Sequence, residues 1–336
     1  EIVFGDWSSD VCSSDLKVRQ RHLTHPAASR SFNQHRADSA LFGLVTRLQA
    51  GFYTVETDEK TISCRLRGKR KQNRQKEDIV AVGDRVDVTL LDDGTGVIEK
   101  ILPREKSFMR LVRGDYKQIL LANPDQMVLV FSCADPEPSL RMLDRFLVIA
   151  EKQKIPVLIV ANKVDLIGMP AAEQLFSAYL KIGYTVLFTS AKASLHINLL
   201  KEKLVGKISA FSGPSGVGKS SLLNQVQPGL GLRIGGLKDS SKKGKHTTVV
   251  RELYPLEGGG YVADMPGLRS LSLWDTEPEE LDGYFPELRD LVADCQFNDC
   301  THTMEPGCAV KKAVEKGTVS TQRYESFVRL RLGDED

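Results

Sequence analysis

Gly213-Pro214-Ser215-Gly216-Val217-Gly218-Lys219-Ser220 is the stretch that decides the fold. An apolar, strand-like run at 207–211 precedes it, and a helical pattern opens after it at Ser221, Leu222 and Leu223. A glycine-rich turn between strand and helix is the setting a P-loop requires. The glycines let backbone amides wrap phosphates. Lys219 offers a point charge to the β- and γ-phosphates, and Ser220 offers a hydroxyl to magnesium. Residues 213–221 are therefore expected to hold the phosphates of a nucleotide.

Working outward, apolar runs at 127–131, 156–161, 184–188, 249–254 and 260–263 alternate with helical patterns at 140–152 and 171–181. This rhythm predicts an α/β domain with a parallel sheet covered on both faces. Ligands in such sheets sit beyond the carboxyl ends of the strands. Asn162-Lys163-Val164-Asp165 falls at one of these ends. A carboxylate at Asp165 can accept from both the N1 and N2 donors of guanine. Adenine offers neither, so it would leave the carboxylate unsatisfied. Lys163 can lay its stem along the base plane. Ser190-Ala191-Lys192 follows the next strand and suits a loop that gives a backbone amide to the guanine oxygen. Together these select guanine and disfavour an adenosine nucleotide kinase.

Asp264-Met265-Pro266-Gly267 follows a further strand. Asp264 is expected to hold magnesium through water, and the Gly267 amide to face the γ-phosphate. Between the P-loop and Asp264, residues 229–248 are rich in Gly, Lys and Ser, a composition that suits a switch loop. Its end, Gly244-Lys245-His246-Thr247-Thr248, offers Thr248 to magnesium in preference to Thr247. Leu268 stands where many GTPases place a water-orienting glutamine and cannot hydrogen-bond, which leaves His246 as the nearest polar candidate for the attacking water.

The order of these motifs is unusual. The base-reading motifs at 162 and 190 precede the phosphate motifs at 213, 248 and 264, so the domain reads as circularly permuted. A cut in a surface loop leaves core contacts intact. The segment after Gly267 then runs directly into the C-terminal region, so a switch movement is expected to pull on it.

Before this domain lie five short strand candidates at 41–48, 52–57, 61–66, 84–91 and 96–102. Their number and spacing suit a small closed barrel of OB-fold type. The net charge of the whole chain is only +2. Residues 17–76 nevertheless hold fourteen Lys or Arg against four Asp or Glu, and most of the run Arg65 to Lys76 lies on a loop of the barrel. That segregation points to a polyanion, with cations for phosphates and Phe52 or Tyr53 either stacking on bases or filling the core. Residues 17–40 read as a basic tail. Residues 1–16, with their near-duplicate Ser-Ser-Asp around Cys12, read as an artefactual leader without signal-peptide features.

Residues 275–299 run the other way, with nine acids and only Arg289. They lead into Cys295, Cys300, His302 and Cys308. Three thiolates and one imidazole make a closed tetrahedral set for one structural zinc. Helical patterns flank it at 285–292, 310–316 and 320–332. Cys12, Cys64 and Cys133 are isolated and expected to be inert. Six cysteines in 336 residues exclude a disulfide scaffold, and no apolar run of about 18 residues offers a transmembrane helix.

The permuted motifs, the barrel and the zinc segment together resemble the RsgA (YjeQ-type) family of bacterial small-subunit biogenesis GTPases, over residues from about 40 to 332. The resemblance implies a cytoplasmic GTPase that docks on the 16S rRNA of the 30S subunit late in assembly and leaves after hydrolysis. It implies GTP and GDP, Mg2+ and one Zn2+ as ligands, and a role in hydrolysis for the histidine matching His246, beside Lys219 and Thr248. The expected layout is 1–40 leader and tail, 41–105 OB-fold, 106–274 permuted GTPase domain and 275–336 zinc-binding, mainly helical domain. A monomer without membrane contact is expected. Another RNA-associated permuted GTPase, or a GTP-dependent RNA-binding module with little turnover, stays open as an alternative.

Overall fold

The computed structural model describes residues 40–67, 79–112, 116–230, 252–265 and 276–334, and its first five strands close on themselves. They are β1 (Ala40–Gln49), β2 (Phe52–Thr57), β3 (Thr61–Leu66), β4 (Arg85–Leu90) and β5 (Gly96–Ile101), in barrel order β1-β2-β3-β5-β4 with β1 returning to β4. The side-chain period of two explains the closure. In β3, Ile62, Cys64 and Leu66 point inward while Thr61, Ser63 and Arg65 point out. Val45, Val55, Val86, Val88 and Ile98 fill the rest of the interior. Gly96 is required here, because a Cβ would stand 2.6 Å from Val88 Cγ1.

A bulge interrupts β1 at Thr46, where the pairing with β2 slips. The slip re-aims the Thr46 carbonyl away from the ladder. It accepts instead from the amide of Leu253 at 2.8 Å, and Arg47 bridges to Glu252 beside it. The barrel is thereby tied to the chain just before it re-enters the large sheet. A second tie runs through Asp84, which is fully buried. It accepts from Arg104 Nε at 2.7 Å, Arg104 Nη2 at 2.8 Å and the Ala81 amide at 2.7 Å.

A hairpin of β6 (Ser107–Val112) and β7 (Tyr116–Ala122) follows, which the sequence pattern did not predict. Phe108 and Leu121 bury themselves against the main core.

The six-stranded sheet has the order β10-β9-β8-β11-β13-β12. Its members are β8 (Gln126–Ser132), β9 (Val157–Asn162), β10 (Thr185–Phe188), β11 (Ile208–Ser212), β12 (Tyr254–Pro255) and β13 (Tyr261–Asp264). All neighbours are parallel except the edge pair β12–β13, which corrects an all-parallel expectation. Of the strand expected at 249–254, residues 249–251 lie outside the described residues. Seven of seven residues in β8 are buried, as a central strand covered on both faces demands.

Helices cover one face with α1 (Leu140–Lys152), α2 (Met169–Leu175) and α3 (Ser177–Ile182), and the other with α4 (Ile197–Leu204) and α5 (Lys219–Val226). A continuous helix was expected at 171–181; the structure breaks it at Phe176, whose ring is fully buried against Tyr179 and Phe188.

The C-terminal region is mainly helical, with α6 (Pro286–Arg289), α7 (Ala309–Glu315) and α8 (Thr321–Arg331). The helix expected at 285–292 is only one turn of α6, followed by a 3-10 turn at Val292–Asp294. Phe285, Leu288, Val310, Val319 and Phe327 form its core, and Val148 of α1 is part of the same cluster. Among the described residues no helix is long and apolar enough to cross a membrane.

Candidate functional site

Four of the motifs end up at one edge of the sheet because each follows a parallel strand. The P-loop leaves β11, Asn162 ends β9, Ser190 follows β10, and Asp264 ends β13. Gly213 has a φ of 144°, and a Cβ on it would lie 2.0 Å from the carbonyl oxygen of Val130. Gly218, at φ 96°, caps α5 and leaves no room for a Cβ beside Asn162 Nδ2. No other residue fits the loop at these two points.

Lys219 Nζ donates to the Gly213 carbonyl at 2.9 Å and the Pro214 carbonyl at 2.8 Å, so its ammonium is held across the loop. Val217 is buried, while Ser215 and Gly216 are exposed and Ser220 and Ser221 are half-buried. Oδ1 of Asp264 is buried and has no hydrogen-bond partner among the described residues. Burial pushes its carboxyl above the usual carboxylate range, against the pull of Lys219. A buried anionic oxygen without a donor fits a hydrated divalent cation.

Asn162 binds three loops together. Its Nδ2 donates to the Val217 carbonyl at 2.8 Å, and its Oδ1 accepts from Thr189 Oγ1 and the Ala191 amide, each at 3.2 Å. Lys163, in a left-handed turn at φ 64°, donates from Nζ to the Asp135 carbonyl. Asp165 is exposed, and its Oδ1 accepts from Ser190 Oγ at 2.5 Å. Ser190 Oγ also accepts from the Ala193 amide, which fixes the hydroxyl and so aims the carboxylate. Lys192 is exposed on the same loop. An exposed carboxylate aimed in this way suits paired donors. Asp165→Asn should weaken GTP binding on the order of 10- to 100-fold and leave phosphate affinity alone, since it removes one charge-assisted bond and opposes a donor to a donor. Competition of GTP and pyrophosphate against a fluorescent GDP analogue measures this.

Gly244, Lys245, His246, Thr247, Thr248, Gly267 and Leu268 lie outside the described residues, as do residues 1–39 and 68–78. Most of the basic run is among them. Of the rest, Arg67 pairs with Glu99 at 2.6 Å, and Arg65 lies over the exposed Phe52 ring at 4.6 Å from its centroid. Tyr53 packs against the barrel core instead. Cys64 and Cys133 are buried, and burial pushes both thiols up to about 11, which keeps them unreactive at neutral pH.

The second cluster lies in the C-terminal region. The ligating atoms of Cys295, Cys300, His302 and Cys308 all fall within 4.8 Å of one another. His302 Nδ1 is 3.5 Å from both Cys295 Sγ and Cys308 Sγ, and those sulfurs are 4.0 Å apart. A tetrahedral ion with metal–sulfur bonds of about 2.3 Å and a metal–nitrogen bond of about 2.0 Å needs edges of roughly 3.5 to 3.8 Å. His302 presents Nδ1 because its Nε2 faces Asp282 Oδ2 at 3.3 Å, a partner that the cysteine spacing did not reveal. The amides of Ala309 and Lys311 donate to Cys295 Sγ at 3.4 Å and Cys308 Sγ at 3.5 Å, which fixes where these two sulfurs sit. The four donors fit a closed metal site.

Residues 42–98 match the model of the RsgA N-terminal domain, and residues 101–274 match that of the RsgA GTPase. A protein of Gemmatimonas aurantiaca named small ribosomal subunit biogenesis GTPase RsgA is 44% identical over 296 residues, covering 86% of this chain and 96% of its own. The protein of the same name from Thermotoga petrophila is 42% identical over 294 residues, covering 86% and 95%. Among solved structures, YjeQ from Thermotoga maritima superposes with a TM-score of 0.73 at 39% identity, covering 88% of this chain and 98% of that one. YloQ, described as a circularly permuted GTPase, superposes with a TM-score of 0.69 at 34% identity, covering 90% and 98%. Motif order, barrel and family models agree, and the chain belongs to the RsgA family of circularly permuted GTPases.

Proposed function

We propose that the protein hydrolyses GTP to GDP and phosphate and acts in late maturation of the 30S ribosomal subunit, docking on 16S rRNA in one nucleotide state and leaving in the other. The observation that carries this reading is the convergence of the P-loop, Asn162–Asp165, Ser190 and Asp264 at one sheet edge, in a family named for small-subunit biogenesis.

Asp165 reads the guanine, with Lys163 along its plane and Ser190, Ala191 and Lys192 closing the pocket. Residues 213–221 cradle the phosphates. Ser220, Thr248 and Asp264 hold magnesium, which when bound neutralises charge on the β- and γ-oxygens. The Gly267 amide faces the γ-phosphate, Lys219 stabilises the charge that develops on it, and His246 orients the attacking water. Cys295, Cys300, His302 and Cys308 hold one structural zinc. The barrel, residues 41–105, faces RNA with its basic loop; 106–274 is the GTPase domain and 275–336 the zinc domain. The protein works in the cytoplasm, as a monomer, off the membrane.

The test is the GTP hydrolysis rate alone, with purified small subunits, and with large subunits. Small subunits should stimulate by on the order of tenfold or more, as a partner that completes a catalytic site does. Equal rates in the three conditions would reject the ribosomal role while leaving the GTPase assignment in place.

A further inference from the structure

The C-terminal region is fastened to the rest of the chain by buried ions, and the fastening sits on the helix that leaves the nucleotide site. Asp144 is in the middle of α1 and fully buried. Its Oδ1 accepts from Arg323 Nη1 at 2.7 Å and Tyr179 OH at 2.8 Å. Its Oδ2 accepts from Gln322 Nε2 at 2.8 Å and Ser326 Oγ at 2.5 Å. Tyr179 belongs to α3, and the other three donors belong to α8. Arg323, also fully buried, turns its remaining edge to Glu287 of α6, with Nε at 2.7 Å and Nη2 at 3.1 Å, and its guanidinium lies 4.5 Å from the Phe285 ring centroid. A buried carboxylate with four donors tolerates little displacement, because a shift of any partner leaves charge unpaired.

The other end of α1 leads back to the turn at Asn162 and Lys163. The loop that joins β8 to α1 is held by Cys133, whose amide donates to the Asn162 carbonyl at 2.7 Å, and by Ser132 Oγ on the Pro136 carbonyl at 2.6 Å. Its Asp135 carbonyl accepts from Lys163 Nζ. Pro136 flanks the P-loop, with Cδ 3.6 Å from where a Cβ on Gly216 would stand. Ser139 then caps α1, and every residue from 143 to 150 is buried, so the helix is gripped all round and shifts as a body.

We propose that Asp144 and Arg323 are positioning residues for the nucleotide site: by fixing α1 against the C-terminal region they fix the Asp135 carbonyl that holds Lys163. The inference rests on the reading of Lys163 as a guanine contact. By linkage, bound nucleotide and the docked C-terminal region stabilise each other, so a partner that loosens the one loosens the hold on the other.

The experiment uses the full chain. Arg323→Lys keeps a cation for Asp144 but cannot fork onto Glu287. The paired variant Asp144→Leu with Arg323→Met removes both ions. In each, KM for GTP should rise and the release of a fluorescent GDP analogue should quicken by about tenfold, with kcat within about twofold. A merely structural lesion lowers kcat with the folded fraction and leaves KM alone, and that result would overturn the proposal, as would unchanged KM and release rate. Hydrogen exchange of the unsubstituted chain needs no variant. GDP should slow exchange of α8 amides about tenfold, and equal exchange with and without GDP would also overturn the proposal. The guanine reading is judged separately: it fails if the unsubstituted chain binds a fluorescent ADP analogue as tightly as the GDP analogue.

Discussion

Lys219→Ala is expected to reduce kcat for GTP by about 10²- to 10³-fold, the scale seen when one preorganised group facing transition-state charge is removed. The ammonium is held at 2.9 Å and 2.8 Å by the carbonyls of Gly213 and Pro214, so it is already in place over the loop and no rearrangement is needed at the moment of reaction. Alanine is a good helix former at the first position of α5, and the loop conformation is set by Gly213 and Gly218. The variant should therefore fold normally, with its far-UV circular dichroism unchanged. Single-turnover hydrolysis at saturating GTP and magnesium measures the effect. Turnover within threefold of the parent would show that Lys219 does not face the transferred phosphate.

The second large effect is expected at the metal cluster. Cys308→Ala removes one ligand at 3.5 Å from His302 Nδ1 and also the sulfur that the Lys311 amide meets at the start of α7. Structural zinc sites contribute about 10–16 kcal/mol of apparent binding free energy, nearly all of it available to folding. On the reading of the cluster as a zinc site, metal would add a large share to what the apolar cluster around Phe285 and Phe327 contributes to ordering this region. The expected result is loss of metal from the purified chain and fast hydrogen exchange throughout α7 and α8, while residues 126–226 keep their protection. Retained metal, or protected α7 amides without it, would show that the cluster is not structural. Chelation of the unsubstituted chain should give the same exchange pattern.

What was legible in the sequence was legible because local identity and strand position coincide. The P-loop, Asn162, Ser190 and Asp264 each sit at the end of an apolar run, and the parallel sheet gathers those ends without any further information. The cysteine cluster is legible because three thiols and one imidazole fall within fourteen positions. The bonds between Asp144 and Arg323 were not legible, because they span 179 residues and nothing at either position marks a partner. Asp282, twenty residues before His302, escaped for the same reason, as one of nine acids in its stretch with nothing to single it out. The β6–β7 hairpin escaped because β7 buries only Ile119 to Ala122 of its length and shows no clean alternation. The break at Phe176 was set by packing of its ring, which overrode a helical pattern.

The permuted order has a consequence for synthesis. β8, β9 and β10 emerge from the ribosome with their helices as a three-stranded half-sheet, and the partner of β8 on its other side is β11, whose pairing joins Ser209 to Gln126. At roughly 5–20 residues per second, the 75 residues between Ser132 and Ile208 take roughly 4 to 15 s to be made. For that interval the edge of a central strand that is buried along its whole length in the folded chain stands open. The β6–β7 hairpin and α1 are already synthesised and lie against one face of that strand, so the nascent chain carries its own cover for that face, while the other face waits for α4 and α5 and the edge for the strand that brings the P-loop.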